Sequence, residues 1–185
     1  INDQMVFNMP WADSRWNITS VVMEDGVSPL NTDNWFMYCT QLRRVSLGDG
    51  LTTIGEDMFF GCSQLVSITI PTSVTHIGPF ALSDCNNLTE IIFEGDAPSI
   101  GEYAFHRAVA TAYYPAGNET WTADVKQSYM GDITWIGYWD DSMGDDIPRC
   151  QNGHPCLELV TEPTCTEGGY TTYFCNECGD SYIDD

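Results

Sequence analysis

The sequence predicts an α/β solenoid, in which about four repeats of about 23 residues each coil around a shared core. Three cysteines, Cys39, Cys62 and Cys85, recur at this constant interval. Apolar residues recur at the same interval in five positions: Leu42, Leu65 and Leu88; Val45, Ile68 and Ile91; Leu47, Ile70 and Phe93; Ile54, Ile77 and Ile100; Phe59, Leu82 and Phe105. A coil this short cannot bury its own apolar residues, so stacked coils must share one core.

Each repeat predicts a short strand followed by a turn. The pattern L-x-x-I-x-I has the period of two that is typical of a strand, which would pair in parallel with its equivalent in the next coil. The later pattern I-G-x-x-A-F has a spacing of three to four, which favours a helical or 3₁₀ turn on the opposite face. Gly55, Gly78 and Gly101 are expected to permit the turn. An earlier block from Ile18 fits if one extra residue is allowed around Pro29 to Asn34.

The three repeat cysteines are expected to be buried free thiols stacked in the core. Cysteine is a small apolar residue that often fills such positions. A disulfide between neighbouring coils is the alternative, and it would leave one of the three unpaired.

The repeat L-x-x-I-x-I-P-x-S-V-T-x-I-G-x-x-A-F-x-x-C, best seen from Leu65 to Cys85, resembles the BspA-type leucine-rich repeat of bacterial surface proteins. The resemblance covers residues 18–110 and implies a right-handed leucine-rich-repeat coil. It also implies an extracellular or cell-surface protein. The last block carries Ala108 where the others carry cysteine, so the series of stacked cysteines is expected to end there.

Both ends of such a coil need a cover, because terminal repeats face water. Residues 1–17 are expected to form the N-terminal cap, since they contain Met5, Phe7, Met9, Trp11 and Trp16. Residues 111–138 are expected to form the C-terminal cap, in which Trp121, Trp135 and Tyr138 would cover the core. Val109, Ala112 and Tyr114 would supply a last strand before it. The alternative is that the tryptophans form a carbohydrate platform.

Residues 139–149 predict an acidic linker, because they are charged, contain glycine and proline, and lack periodicity. A calcium site is the alternative interpretation of the four aspartates Asp140, Asp141, Asp145 and Asp146. Their spacing does not match the helix–loop–helix calcium signature, which favours a solvated hinge.

Residues 150–185 predict a small cysteine-rich β module, which is too short to build its own core and needs a metal ion or disulfides to stabilise it. The final C-x-x-C-G is a typical half of a zinc site. The candidate ligands are Cys150 or His154 with Cys165, Cys175 and Cys178. Disulfides or reduced thiols are the alternatives. The YTTYF run predicts a hairpin strand, and the segment resembles a short tandem repeat of large surface proteins of gut-type bacteria.

The charge balance excludes several kinds of partner. Aspartate and glutamate number 27 against 6 lysine and arginine residues, which gives a formal net charge of −21. Nucleic acids and anionic membranes need cationic protein faces, so neither is expected as a partner. No apolar run approaches the roughly 18 residues of a membrane span. An enzyme is not expected either, because His76 and His106 fall on turns and no catalytic pattern surrounds them.

Recognition would have to use the side chains that the repeated strands point outward. Two rows are expected on this face: Ser20, Arg44, Ser67 and Glu90, and next to them Val22, Ser46, Thr69 and Ile92. The family resemblance implies adhesin-like binding of a host protein or glycan. The alternative is a spacer that displays other modules without binding. A clustered aromatic or charged patch on this face would favour binding, and an evenly polar face would favour the spacer.

Overall fold

The computed structural model describes residues 10–138, 157–161, 170–175 and 181–184. Residues 10–138 form a parallel β-solenoid of about five turns, one more than predicted. A 3₁₀ helix, Ala12–Asn17, comes before the first strand. The strands are β1 (Ser20–Val22), β2 (Arg44–Ser46), β3 (Thr53–Ile54), β4 (Ser67–Ile70), β5 (His76–Ile77), β6 (Glu90–Phe93), β7 (Ser99–Ile100), β8 (Val109–Pro115), β9 (Asp132–Tyr138), β10 (Leu157–Thr161), β11 (Tyr170–Phe174) and β12 (Ser181–Asp184).

The long side of the solenoid is built from β1, β2, β4, β6, β8 and β9, and consecutive members lie side by side. β4 and β6 pair with the offset predicted from the sequence repeat, as Ser67 lies opposite Glu90. β1 and β2 pair with an offset one residue longer, since Ser20 lies opposite Arg44, which confirms the extra residue expected in the first coil. β3, β5 and β7 form a second parallel sheet with the regular offset.

The core lies between these sheets and the turns, and it contains the predicted repeat positions. Leu42, Leu65 and Leu88 are almost completely buried, as are Ile54, Ile77, Phe59, Leu82 and Phe105. Val45, Leu47 and Ile100 are partly buried and pack against the same cluster. The apolar periodicity therefore predicted the core correctly.

The helical part of the α/β prediction is not seen in the described repeats, where the third segment of each coil is a run of turns. Two positions per coil have a left-handed backbone: Asn34, Asp57, Phe80 and Tyr103, and then Tyr38, Gly61, Asp84 and Arg107. A left-handed residue interrupts the right-handed helical path, so a continuous helix cannot form. The backbone N–H of Phe59 instead donates to the Ala81 carbonyl of the next coil.

The recurring glycines have a different role from the one expected. Gly55, Gly78 and Gly101 are not among the residues with positive φ. A Cβ at Gly78 would lie 2.6 Å from the backbone nitrogen of Glu56, and one at Gly101 would lie 2.6 Å from that of Pro79. Glycine is required here because adjacent coils approach closely, and not because the turn needs a special φ.

Aromatic side chains close both ends of the core. Trp11 stacks on Phe36 with ring centroids 5.5 Å apart, and Phe36 stacks on Phe59 at 5.6 Å. At the other end, Trp121 and Trp135 pack against Phe93 at 4.8 and 5.7 Å. This packing favours the interpretation that Trp11, Trp121 and Trp135 cover the core, and not the alternative that they form a carbohydrate platform. Trp16 differs, because it is 57% exposed.

The last three strands, β10 to β12, extend the long side of the solenoid beyond β9 with antiparallel pairing. β10 pairs with β11 and β11 with β12, and β10 joins β9 at Glu158 and Gly137. The strand predicted from YTTYF is confirmed as β11. The predicted acidic linker, residues 139–149, lies outside the described residues, as do Met5, Phe7 and Met9 of the predicted N-terminal cap.

Candidate recognition surface

The outward side chains of β1, β2, β4, β6, β8 and β9 form one continuous surface, which we call the strand face. It exists because these strands alternate between core and solvent: in β4 and β6 the second and fourth residues are buried and the first and third are partly exposed. Parallel pairing then places equivalent positions of successive coils side by side.

Both predicted rows are present on the strand face. The first row contains Ser20, Arg44, Ser67 and Glu90, and continues with Thr111 and Thr134. The second contains Val22, Ser46, Thr69 and Ile92, and continues with Tyr113 and Ile136. Their placement agrees with the sequence, and their role in binding stays a prediction.

The N-terminal half of the strand face is lined mainly by short side chains. Its concavity of about 470 Å³ is lined by Ser20, Val21, Val22, Arg44, Val45, Ser46 and Ser67. Val22 is 73% exposed, and among the described lining residues the Arg44 side chain is the only cationic group. This half can offer one guanidinium group and small hydroxyl groups to a ligand.

The C-terminal half has a different character, with aromatic rings next to carboxylates. A groove of about 400 Å³, which we call the tyrosine groove, is lined by Glu90, Ile92, Glu94, Tyr113, Tyr138 and Leu157. The Tyr138 hydroxyl donates a hydrogen bond to the Phe93 carbonyl at 3.0 Å, which fixes this ring across β6. Leu157 lies beside Tyr138 because β10 pairs with β9.

Sequence reasoning missed four residues of this groove: Glu94, Tyr113, Tyr138 and Leu157. Ile92 lies opposite Tyr113, so the offset from β6 to β8 is shorter than the regular repeat, and the repeat register does not find this tyrosine. Tyr138 was expected to cover the core. The alternation in TAYYP is the signal that could have placed Tyr113 outward, since Tyr114 is buried beside it.

The repeat cysteines are confirmed as buried free thiols. The Cys62 thiol donates to the Phe36 carbonyl and the Cys85 thiol to the Phe59 carbonyl, both at 3.2 Å. Burial raises the pKa of the Cys39 thiol to about 11 and that of Cys85 to about 12, and it also raises the pKa of Cys62. Such thiols remain protonated and do not act as nucleophiles or metal ligands at neutral pH.

The predicted zinc site lies mostly outside the described residues. Cys150, His154, Cys165 and Cys178 are not described, and Cys175 is buried directly after β11. Within the described ranges, no group of three or more potential metal ligands comes together. Zinc in the cysteine-rich module therefore stays a prediction.

The geometry and the regular repeat now identify the family. Residues 13–120 match, in six copies, the family model of the BspA type leucine rich repeat region. The chain belongs to this family. BspA-type repeats are typical of bacterial surface proteins, and their solenoid is typically a scaffold without enzymatic activity. No curated protein and no solved structure matches this BspA-type chain. No helix in the described part is long and apolar enough to cross a membrane.

Proposed function

We propose that this BspA-type chain is an adhesin-like module of a secreted or surface protein, and that it binds a host protein or glycan through the strand face. The observation that carries the proposal is the tyrosine groove. Two tyrosines, an isoleucine and two glutamates cluster on one part of the strand face. An evenly polar face would instead have supported the spacer function.

The position of the groove supports the same proposal. Tyr113 and Ile92 are only partly buried, although they lie in the middle of the sheet, so apolar surface is available there. Apolar and aromatic side chains with a few placed polar groups are typical of binding sites. The adjoining N-terminal half extends the surface toward Arg44.

Binding of the whole chain to a panel of host matrix proteins and glycans at physiological salt tests the proposal. We expect saturable binding to at least one member, weakened in Arg44→Gln or Glu90→Gln. The matched controls are Arg43→Gln, which changes a residue just before β2, and Glu119→Gln, which changes an exposed loop residue. Both controls should bind like the unchanged chain.

Two results would contradict the proposal. If a well-folded sample bound no member of the panel, the spacer function would be favoured. If binding persisted in both strand-face variants but was lost in a control, recognition would have to use another surface.

A further inference from the structure

The tyrosine groove combines aromatic ring faces with carboxylates. Glu90 and Glu94 belong to its lining, and no lysine or arginine is among the lining residues that the structure describes. In the described part of the chain the structure records one ion pair, between Arg107 and Asp84, and neither glutamate takes part in it. The groove is therefore negatively charged on a molecule with a formal net charge of −21.

The tyrosine rings add a second attraction for a cation. The face of an aromatic ring is negative, so a cation over it is attracted, and more strongly when water is partly excluded. The protein already uses this kind of contact within its own fold, because Lys126 Nζ lies 4.7 Å from the ring centroid of Tyr114. Tyr114 is buried on the core side of β8, whereas Tyr113 lies on the strand face.

We propose that the tyrosine groove binds an arginine side chain of a partner polypeptide. This inference rests on the proposed function and names the ligand chemistry of the C-terminal half of the strand face. A guanidinium group is planar, so it can stack on a tyrosine ring while its N–H groups donate to a carboxylate. Ile92 and Leu157 would contact the aliphatic part of the arginine side chain.

The size of the groove agrees with this occupant. Its volume of about 400 Å³ is near the lower end of ligand pockets, which suits one long side chain and not a large ligand. The hydrogen bond from Tyr138 to the Phe93 carbonyl holds one wall in place before binding, which lowers the entropic cost of ordering it.

The experiment is an NMR titration of the full chain with two end-blocked peptides, Gly-Ser-Gly-Arg-Gly-Ser-Gly and the same peptide with glutamine in place of arginine. A single arginine limits non-specific attraction to the acidic protein. We expect the arginine peptide to shift backbone signals of β6, β8 and β9 saturably, and the glutamine peptide to leave them unchanged. Equal shifts with both peptides, or arginine-induced shifts spread over the whole acidic surface, would overturn the inference.

Variants separate the groove from the overall charge. The double variant Glu90→Gln with Glu94→Gln should weaken binding of the arginine peptide by about tenfold, since the arginine loses its ion pairs with both glutamates. Glu24→Gln with Glu119→Gln removes the same charge from exposed positions elsewhere and should change affinity less than about twofold. If both double variants lost affinity equally, the attraction would be general and the inference would be wrong.

The ring contribution has its own comparison. Tyr113→Leu keeps an apolar side chain but removes the ring, and it should weaken binding of the arginine peptide by about two- to fivefold. Tyr113→Phe keeps the ring and should bind like the unchanged chain. If Leu and Phe behaved alike, the ring would have no role and the inference would fail.

The two proposals can fail separately. If a host protein binds and only Arg44→Gln weakens it, the proposed function holds and the arginine site is wrong. If the arginine peptide binds at the groove but no panel member binds, the arginine site holds and the panel result contradicts the proposed function.

Discussion

Asp57 is an acidic residue whose pKa is changed by its surroundings in the fold, so its ionisation is linked to stability. It lies half-buried on the turn side, and its backbone is left-handed with φ of 55°. Burial is the main reason that the pKa of its carboxyl is raised to about 6, and the nearby charges of Glu56 and Asp33 raise it further. Sequence patterns carry no sign of this, because Asp33 is far away along the chain and becomes a neighbour only when coils stack.

The raised pKa of Asp57 predicts a pH-dependent effect of one substitution. The folded-state pKa lies above the ordinary value of 3.8, so the folded protein binds this proton more tightly than the unfolded chain. The contribution of Asp57 to stability is therefore fully present below pH 3.8 and lost as pH rises through about 6. Asp57→Asn, which tolerates the left-handed backbone, should stabilise the fold at pH 7 by roughly 0.5 to 1 kcal/mol after allowing for solvent screening.

Urea unfolding of Asp57→Asn at neutral and at acidic pH measures this effect. The gain should shrink toward zero near pH 4, where the aspartate is itself protonated in the fold. Glu119→Gln, which removes one exposed charge, is the control for general charge repulsion. A gain at pH 7 no larger than that of the control would mean that burial does not perturb Asp57.

Among the secondary-structure elements, the strands could be predicted from sequence and the turns could not. The alternation in Ser67–Ile70 and its recurrence in the next repeat report directly on burial, so strand and register were both visible. The left-handed turn positions hold Phe80 and Tyr103 as well as Asn34 and Asp57, and aromatic residues carry no signal for that backbone. Tyr113 was missed since the repeat shortens before β8.

The stacked turns predict that the repeat cysteines do not react in the folded protein. Cys39, Cys62 and Cys85 have no exposed surface, and burial raises the pKa of each thiol. Iodoacetamide reacts with the thiolate, so these three should stay unmodified near pH 8 in the native protein. Peptide mass mapping after labelling identifies each cysteine separately from those of the tail.

Denaturation provides the control for the labelling. In guanidinium without reductant all three should become fully modified, because free thiols need no reduction. Modification of the native protein at a rate close to that of glutathione would contradict the burial of these cysteines. Resistance in guanidinium that disappears with reductant would indicate a disulfide between coils.

At the scale of the whole molecule, short-range packing works against long-range repulsion. Each coil contacts mainly its neighbours, so stability is close to a sum of coil and interface contributions. The charge of −21 is spread over the same structure, and the one ion pair recorded in the described part involves Arg107, whose side chain is 67% exposed. With 6 lysine and arginine residues against 27 acidic residues, attractive charge pairs can offset only part of the repulsion among carboxylates.

This imbalance predicts that salt stabilises the protein. Screening weakens repulsion over distances beyond about 10 Å at 0.1 M salt, while only 6 lysine and arginine residues can form attractive pairs with the 27 acidic residues. Raising sodium chloride from about 0.02 M to about 0.5 M at pH 7 should raise Tm by on the order of 3 to 6 °C. The same change near pH 4, where many carboxylates are protonated, should raise Tm less. A Tm that falls with salt at pH 7 would mean that favourable ion pairs outweigh the net negative charge.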